Sequence, residues 1–305
     1  MISLDVYNGF STDCTDVPIF LQSWWLDAVC TTEKWHPWVF LNEGKCVGIW
    51  PIVDRKKWFF HVAGMLHLSP YLGPWFLNPS WQGQTLGDFF KELQSQSQYE
   101  RFYQTIHPSL LELQESLPLQ WTHHASHTRI IDFTVWTDSE IQPKMRAFAR
   151  KASKILTVLE CHDFERMWKL TEMTFDRRAL PVPFPKEVFE RVFHESVRRQ
   201  QGMCLIAHNP EQKEDVAGLF VVWDHSRAYY LVGGMNPAFK NQNGAPLLMT
   251  QMLEHLKDKV KTFDFCGSTI PSIDHYFEQF GAIKQGVVQI RHSATIWGKL
   301  ASLNT

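Results

Sequence analysis

A chain of 305 residues with 44% hydrophobic content can bury a large core, and its length suggests about two domains. The formal net charge of −2 argues against a strongly basic nucleic-acid binder. No apolar stretch approaches the roughly 18–20 residues of a membrane span. "MISLDVYNGF" lacks the basic-then-apolar pattern of a secretion signal. The six cysteines form no CxxC pair and read as reduced, so a cytoplasmic location is expected.

In the first half, "ISLDVY" reads as a strand and "PIFLQSWWLDAV" as a helix. Strands are expected at "WVFL", "KCVGIWPIV" and "WFFHVAG", followed by the loop "SPYLGP". Then come a helix at "WQGQTLGDFFKELQSQ", a strand at "ERFYQTIH", a helix at "PSLLELQES" and a strand within Trp121–Phe133. His123, His124 and His127 lie on that last strand. They have no Cys or acidic partner at a matching spacing, so no metal site is expected. Polar residues cluster at "WTDSEIQPK", which places the domain boundary so that residues 1–135 and 136–305 form two domains.

In the second half, "RAFARKASK" is a helix on which Arg146, Arg150 and Lys154 share a side. They form either a solvated basic face or an anion site for an acidic acceptor or a carrier's phosphates. "ILTVLE" is a strand. Asp163 caps the amphipathic helix "FERMWKLTEMTFDRR", a Pro-rich break follows, and "KEVFERVFHESVRR" is a second helix. Strands "MCLIAH", "AGLFVVW" and "AYYLVGG" lead to the helix "APLLMTQMLEHLKDK". A strand "TFDFC", a short helix "SIDHYFEQF" and a strand "KQGVVQIRH" close the chain.

Gly48–Met65 aligns without gaps on Gly218–Met235, apolar facing apolar, each reading as strand, Asp-led turn and strand. Together with the matched order of flanking elements, this suggests an internal duplication. Asp54 and Asp224 are expected to shape the two turns.

"LVGGMNPAFKNQNGAPLLM" joins a strand to the longest helix. Asn243 is placed to cap that helix, with Gly244 at its first position and Pro246 within the first turn, where a missing N–H is harmless. The free N–H groups and positive dipole end can hold a phosphate. Equally, Asn and Gly are ordinary turn residues. Asp264 alternates with Phe263 and Phe265 in a strand, so it points away from them, and a role as base or amine ligand is expected of it.

The second-half order of strand, two helices, three antiparallel strands, loop, helix, strand, helix and strand resembles the GCN5-related N-acetyltransferase (GNAT) fold. "PIFLQSWWLDAV", "LSPYLGP", "RAFARKASKILTV", "YYLVGGMNPAFKNQNGAPLL" and "FDFCGSTIPSIDHYFEQFGA" together resemble the tandem-domain FemAB-like and BioF2-like branch over nearly the whole chain. The resemblance implies an α/β (α+β) fold of two tandem GNAT-like domains. Each is a mixed, mostly antiparallel twisted sheet flanked by helices.

It implies further that Gly233, Gly234, Asn241, Gln242, Asn243, Gly244 and Ala245 bind an acyl donor, although "QNGA" is shorter than the family's loop pattern. The two glycines are expected to permit a bulge and close ligand approach. Tyr276 would protonate the leaving group or else pack beside Phe277 and Phe280, with Ser268 as an alternative donor or a turn cap. The first domain would shape the acceptor cleft, lined by Tyr71 and Gly73, with the acceptor between domains.

The function implied is N-acyl transfer from an acyl thioester, with acyl-CoA as co-substrate and no permanently bound cofactor, to an amine on a small molecule, peptide or sugar. Two alternatives stay open. One is a FemAB-type transfer from aminoacyl-tRNA to a cell-wall precursor, against which the near-neutral charge speaks. The other is a non-catalytic scaffold that keeps the fold.

Overall fold

The computed structural model describes residues 4–31, 33–57, 60–78, 86–87, 89–90, 99–118, 121–267 and 270–293. The chain divides into two compact units, Met1–His127 with Gly286–Thr305, and Thr128–Gln285. The sequence placed everything beyond residue 135 in one domain. Instead the last strand leaves the second unit at Gln285, because Gln289–Ser293 pair with Arg101–Thr105 of the first.

Unit 1 begins with helix α1 (Leu4–Asp13), where a strand was expected. Tyr7 and Phe10 lie three residues apart and both bury, while Asp5 sits in the first turn, so helical spacing prevails over the apparent alternation of "ISLDVY". "PIFLQSWWLDAV" is two elements, a 3₁₀ turn at Ile19–Leu21 and helix α2 (Ser23–Val29), split where Gln22 is extended. The sheet comprises β1 (Lys34–Asn42), β2 (Lys45–Lys57), β3 (Phe60–Ala63), β4 (Trp75–Phe76), β5 (Arg101–Thr105) and the Gly286–Ser293 part of the last strand. β1, β2 and β3 form an antiparallel meander, β3 runs parallel to β5, and β4 pairs on β2. "PSLLELQES" is a 3₁₀ segment kinked at Leu110. The core is aromatic. The Trp50 ring stacks on Phe89 at 4.1 Å, and its indole N–H donates to the buried Gln104 carbonyl at 2.5 Å.

Unit 2 contains part of β6 (Thr122–Asp132), then α3 (Pro143–Ala152), β7 (Thr157–Glu160), α4 (Phe164–Asp176) and α5 (Lys186–Arg198). β8 (Gly202–Asn209), β9 (Glu214–Trp223), β10 (Arg227–Met235), α6 (Gly244–Leu256), β11 (Thr262–Asp264) and α7 (Pro271–Glu278) follow. The unit ends in the first residues of β12 (Ile283–Ser293). Its strand order is β6-β11-β10-β9-β8-β7, antiparallel except for the parallel β10–β11 pair. Asp163 caps α4 as expected, its carboxylate accepting from the Glu165 amide at 3.0 Å.

The aligned segments form two antiparallel hairpins whose turns do not coincide. The second turns at Asp224, whose Oδ1 accepts from the Ser226 and Arg227 amides at 3.0 and 2.9 Å. In the first, β2 runs on past Asp54 to Lys57, and the Asp54 carboxylate meets His61 at 3.1 Å. Asp54 is thus a strand residue and does not form the turn expected of it.

Packing explains several glycines. A Cβ on Gly234 would lie 2.6 Å from the Leu170 carbonyl carbon and 2.8 Å from the Thr171 amide, so glycine lets α4 sit directly on β10. A Cβ on Gly9, in α1, would meet nothing within 4 Å. Gly234→Ala is therefore expected to destabilise by about 1–3 kcal/mol, whereas Gly9→Ala stabilises by about 0.5–1 kcal/mol. Urea unfolding of the two variants measures both, and equal effects would contradict the packing argument.

Candidate active site

β10 and β11 run together only briefly. Arg227, Ala228 and Tyr229 pair with Thr262, Phe263 and Asp264, after which β11 ends while β10 continues to Met235. The cause is local. The Cys266 amide donates to Asp264 Oδ1 at 2.8 Å, and Cys266 and Gly267 take positive φ values of 59° and 71°, which turns the chain out of the sheet.

Where the strands part, aromatic side chains converge. The Tyr230 ring packs against Phe277 at 5.5 Å and Phe265 at 6.3 Å. Tyr276, on α7, packs edge-on against Phe280 at 5.2 Å. The Tyr276 hydroxyl is buried and has no hydrogen-bond partner among the described residues. Burial pushes the Tyr276 phenol far above its ordinary range, and the nearby Tyr230 adds to this. Burial alone lifts Tyr230 to about 12. Both phenols therefore remain neutral proton donors at any physiological pH. A buried hydroxyl left unpaired costs about 1–3 kcal/mol, and such groups cluster where a ligand completes the bonding.

α7 is fixed from its other side. Arg129, on β6, holds Asp274 with two bonds of 2.9 and 2.8 Å and reaches Glu278 at 3.2 Å and the Ala282 carbonyl at 3.3 Å. Asp274 and Glu278 share one helix face and Tyr276 lies on another, so this clamp sets where the phenol points.

The structure reassigns several expected site residues. Asp264 is fully buried, and its oxygens accept from Thr128 Oγ1 at 2.6 Å, Arg227 Nη1 at 2.8 Å and the Cys266 amide. Enclosed and engaged in this way, it has no path to an amine, so it is a structural carboxylate and not a base. Gly233 makes room for the protein's own Tyr230 hydroxyl, into which a Cβ would run. The expected bulge does occur just before it, as a register shift between Tyr230 and Val232. Tyr71 is buried with its ring edge-on to Phe20 and His107, so it packs in unit 1. Gly73 has φ 129°, and a Cβ there would lie 2.6 Å from Ile106. Ser268 lies outside the described residues.

In the loop, Asn243 stands at the N-cap position in the left-handed conformation, φ 58° and ψ 38°. Its side chain donates to the Asn241 carbonyl at 3.1 Å and does not cap the helix, contrary to expectation. Gln242 is tied to the β8–β9 hairpin, accepting from Asn209 at 3.0 Å and donating to Gln212 at 2.8 Å. Gly244 is buried, and a Cβ on it would lie 3.0 Å from both Ala217 and Val216. The glycine thus serves helix–sheet packing. What the loop offers a ligand is the backbone: the Gly244 and Ala245 amides stand in the first helical turn, where no intrahelical acceptor exists. Asn241 is exposed at its rim.

Arg146 is half-buried, while Arg150 and Lys154 are exposed. The two arginines line one groove, and Lys154 lies past the end of α3. Sequence reading missed Tyr230 and Arg129. An apolar-flanked tyrosine in a strand reads as core, and Arg129 finds Asp274 only through the fold.

The sequence profile of the family "Acetyltransferase (GNAT) domain" matches residues 139–278. Among solved structures, the chain is similar to FemX with 12% identity and a TM-score of 0.70, covering 94% of this chain and 96% of that one. It is also similar to the C-terminal domain of a putative lysylphosphatidylglycerol synthetase from Agrobacterium fabrum, with 10% identity, a TM-score of 0.61, and 88% and 87% coverage. A tandem GNAT protein from the clavulanic acid biosynthesis pathway shares 10% identity with a TM-score of 0.52 over 86% and 84%. A comparison with curated protein sequences finds no match. Residues 139–278 thus match a GNAT domain, and the chain shares its fold with FemX and with a tandem GNAT protein. Among the described residues, no helix is long and apolar enough to cross a membrane.

The buried Arg227–Asp264 pair gives a stability test. Asp264→Leu takes from the buried Arg227 guanidinium the carboxylate that lies 2.8 Å from it and is expected to cost about 3–5 kcal/mol. Arg227→Met combined with Asp264→Leu should cost less than Asp264→Leu alone, as read by urea unfolding. Additive losses would show that the two groups do not act as a pair.

Proposed function

We propose that this protein is a FemAB-like N-acyltransferase of the GNAT superfamily that moves an acyl group from an acyl thioester, with acyl-CoA as the donor, to an amine. The reading is carried by the unpartnered Tyr276 hydroxyl, buried where β10 and β11 part. In the reaction the amine nitrogen attacks the thioester carbonyl. A C–N bond forms, the C–S bond breaks, and the amine's extra proton leaves to solvent. The departing thiolate needs a proton, and a neutral phenol held out of water can give it, then regain one from solvent.

Burial keeps Tyr276 from ionising, and the neighbouring Tyr230 phenol adds to this. Free backbone amides on the β10 side of the parting would orient the donor, and the Gly244 and Ala245 amides at the positive end of α6 suit its pyrophosphate. These parts position and protonate, which is most of what acyl transfer to an amine requires.

Two experiments test this. Coenzyme A is expected to raise the melting temperature with concentration. Ala245→Glu should abolish that shift while leaving the fold intact, because the helix dipole favours a carboxylate there but a phosphate does not. No shift in the wild type at millimolar coenzyme A would reject this donor and turn attention to aminoacyl-tRNA.

Tyr276→Phe is expected to lower kcat by about 10²–10⁴-fold with the melting temperature unchanged or higher, since the lost hydroxyl has no partner to leave behind. Full turnover in Tyr276→Phe would remove the tyrosine from the mechanism.

A further inference from the structure

α3 is unlike the other helices of unit 2. Lys144, Arg146, Arg150 and Lys151 lie on Pro143–Ala152 with no acidic residue among them, in a chain whose formal charge is −2. The other buried or half-buried arginines of this unit each hold a carboxylate at 2.7–2.8 Å: Arg129 with Asp274, Arg166 with Asp215 and Arg227 with Asp264. Arg146 is half-buried and forms no ion pair among the described residues, and neither does Arg150 one turn on. Partial burial of a guanidinium without an anion gives up hydration for nothing unless a ligand supplies the charge.

Both side chains line a groove of about 360 Å³ between α3 and Thr250 of α6, walled by Ile141, Pro143 and Ala149, with Asp138 at its edge. That volume lies in the range of about 300–1,000 Å³ usual for small-molecule sites.

We propose that this groove binds a small phosphorylated ligand, with Arg146 and Arg150 clasping the phosphate and Asp138 accepting a hydroxyl or ammonium hydrogen from the ligand's other end. Residues four apart on a helix are neighbours, so both guanidinium forks can reach one tetrahedral oxyanion. Two neighbouring cations favour a dianionic phosphate over a monocarboxylate, and Arg suits it better than Lys because its fork bonds two oxygens. The apolar walls accept a carbon skeleton. The Asp138 carboxylate disfavours a continuous polyphosphate backbone, so a small molecule fits better than an RNA strand. The phosphate could be free or could belong to a carrier, and the chemistry of the clasp is the same for both. Phosphate binding in this groove does not depend on acyl transfer, whose donor binding is read out independently through Ala245→Glu.

Calorimetric titration with inorganic pyrophosphate tests it. Wild type is expected to bind, with affinity falling as salt rises. Arg146→Gln with Arg150→Gln should weaken binding by about tenfold or more at an unchanged melting temperature, since neither guanidinium holds a carboxylate of the protein. Asp138→Asn should retain or tighten it. Preference for a phosphomonoester amine or alcohol over pyrophosphate, lost in Asp138→Asn, would identify a ligand-borne phosphate as the natural occupant. Equal affinity for both would identify the free anion. No binding by wild type at millimolar pyrophosphate overturns the proposal, as does equal binding by the double variant. Binding of a short single-stranded RNA without binding of pyrophosphate would overturn it in favour of a polyanion face.

Discussion

The second unit depends on one buried carboxylate. Asp264 is wholly out of water and takes hydrogen bonds from three places: Thr128 on β6, Arg227 on β10 and the amide of Cys266 just beyond β11. A carboxylate in that position is tolerable only because its lone pairs are occupied and a guanidinium lies 2.8 Å away. The same bonds that satisfy it join three strands at one point. They also end β11, because the bond to Cys266 draws the chain into a left-handed turn that no strand can continue. Arg227 spends a further bond on Gln285, and its own amide helps close the Asp224 turn, so the hairpin and the parting of the strands are parts of one polar network.

The candidate site is what that parting leaves. β10 continues without β11 for six residues, Tyr230–Met235, still paired with β9 on its other edge, and the space beside it is filled from α7 and from the residue after β11. Phe265, Phe277 and Phe280 make the surroundings dry, which is why the two phenols resist ionisation and why the unpaired Tyr276 hydroxyl stands out. α7 would be a poor platform if it rested on apolar contacts alone, since it has only eight residues. Arg129 compensates with bonds to Asp274, Glu278 and the Ala282 carbonyl. A buried arginine on a strand thereby restrains a tyrosine on the far face of a short helix.

Much of this architecture was legible in sequence where periodicity is strong. α4, α5 and α6, and the strands from β7 to β10, follow from 3.6-residue and alternating patterns that the protein buries as written. "ISLDVY" failed because six residues at a chain end suit either period, and only the pocket that takes Tyr7 and Phe10 decides between them. Both aligned segments fold as hairpins, but apolar alternation did not locate the first turn, since β2 runs on past Asp54 to Lys57. At the site, resemblance singled out Tyr276, whose hydroxyl the fold buries without a partner among the described residues. Asp264 was misread, because strand alternation says which side a carboxylate faces but not that Thr128 and Arg227 wait there.

The glycines show where residue type alone misleads. Gly233, Gly234 and Gly244 invite the reading that a ligand comes close, and all three are accounted for by the protein itself: a tyrosine hydroxyl, the backbone of α4, and the alanine and valine side chains of β8 and β9. What the loop then offers a ligand is backbone alone. Pressing Gly244 onto β9 fixes the first turn of α6, and fixing that turn is what presents two amides in a set direction. An alanine at Gly244 would bring its Cβ to 3.0 Å from Ala217 and Val216, so these side chains or the helix end must give by a few tenths of an ångström. The glycine that serves packing at this helix end therefore also sets the geometry that the proposed anion would meet.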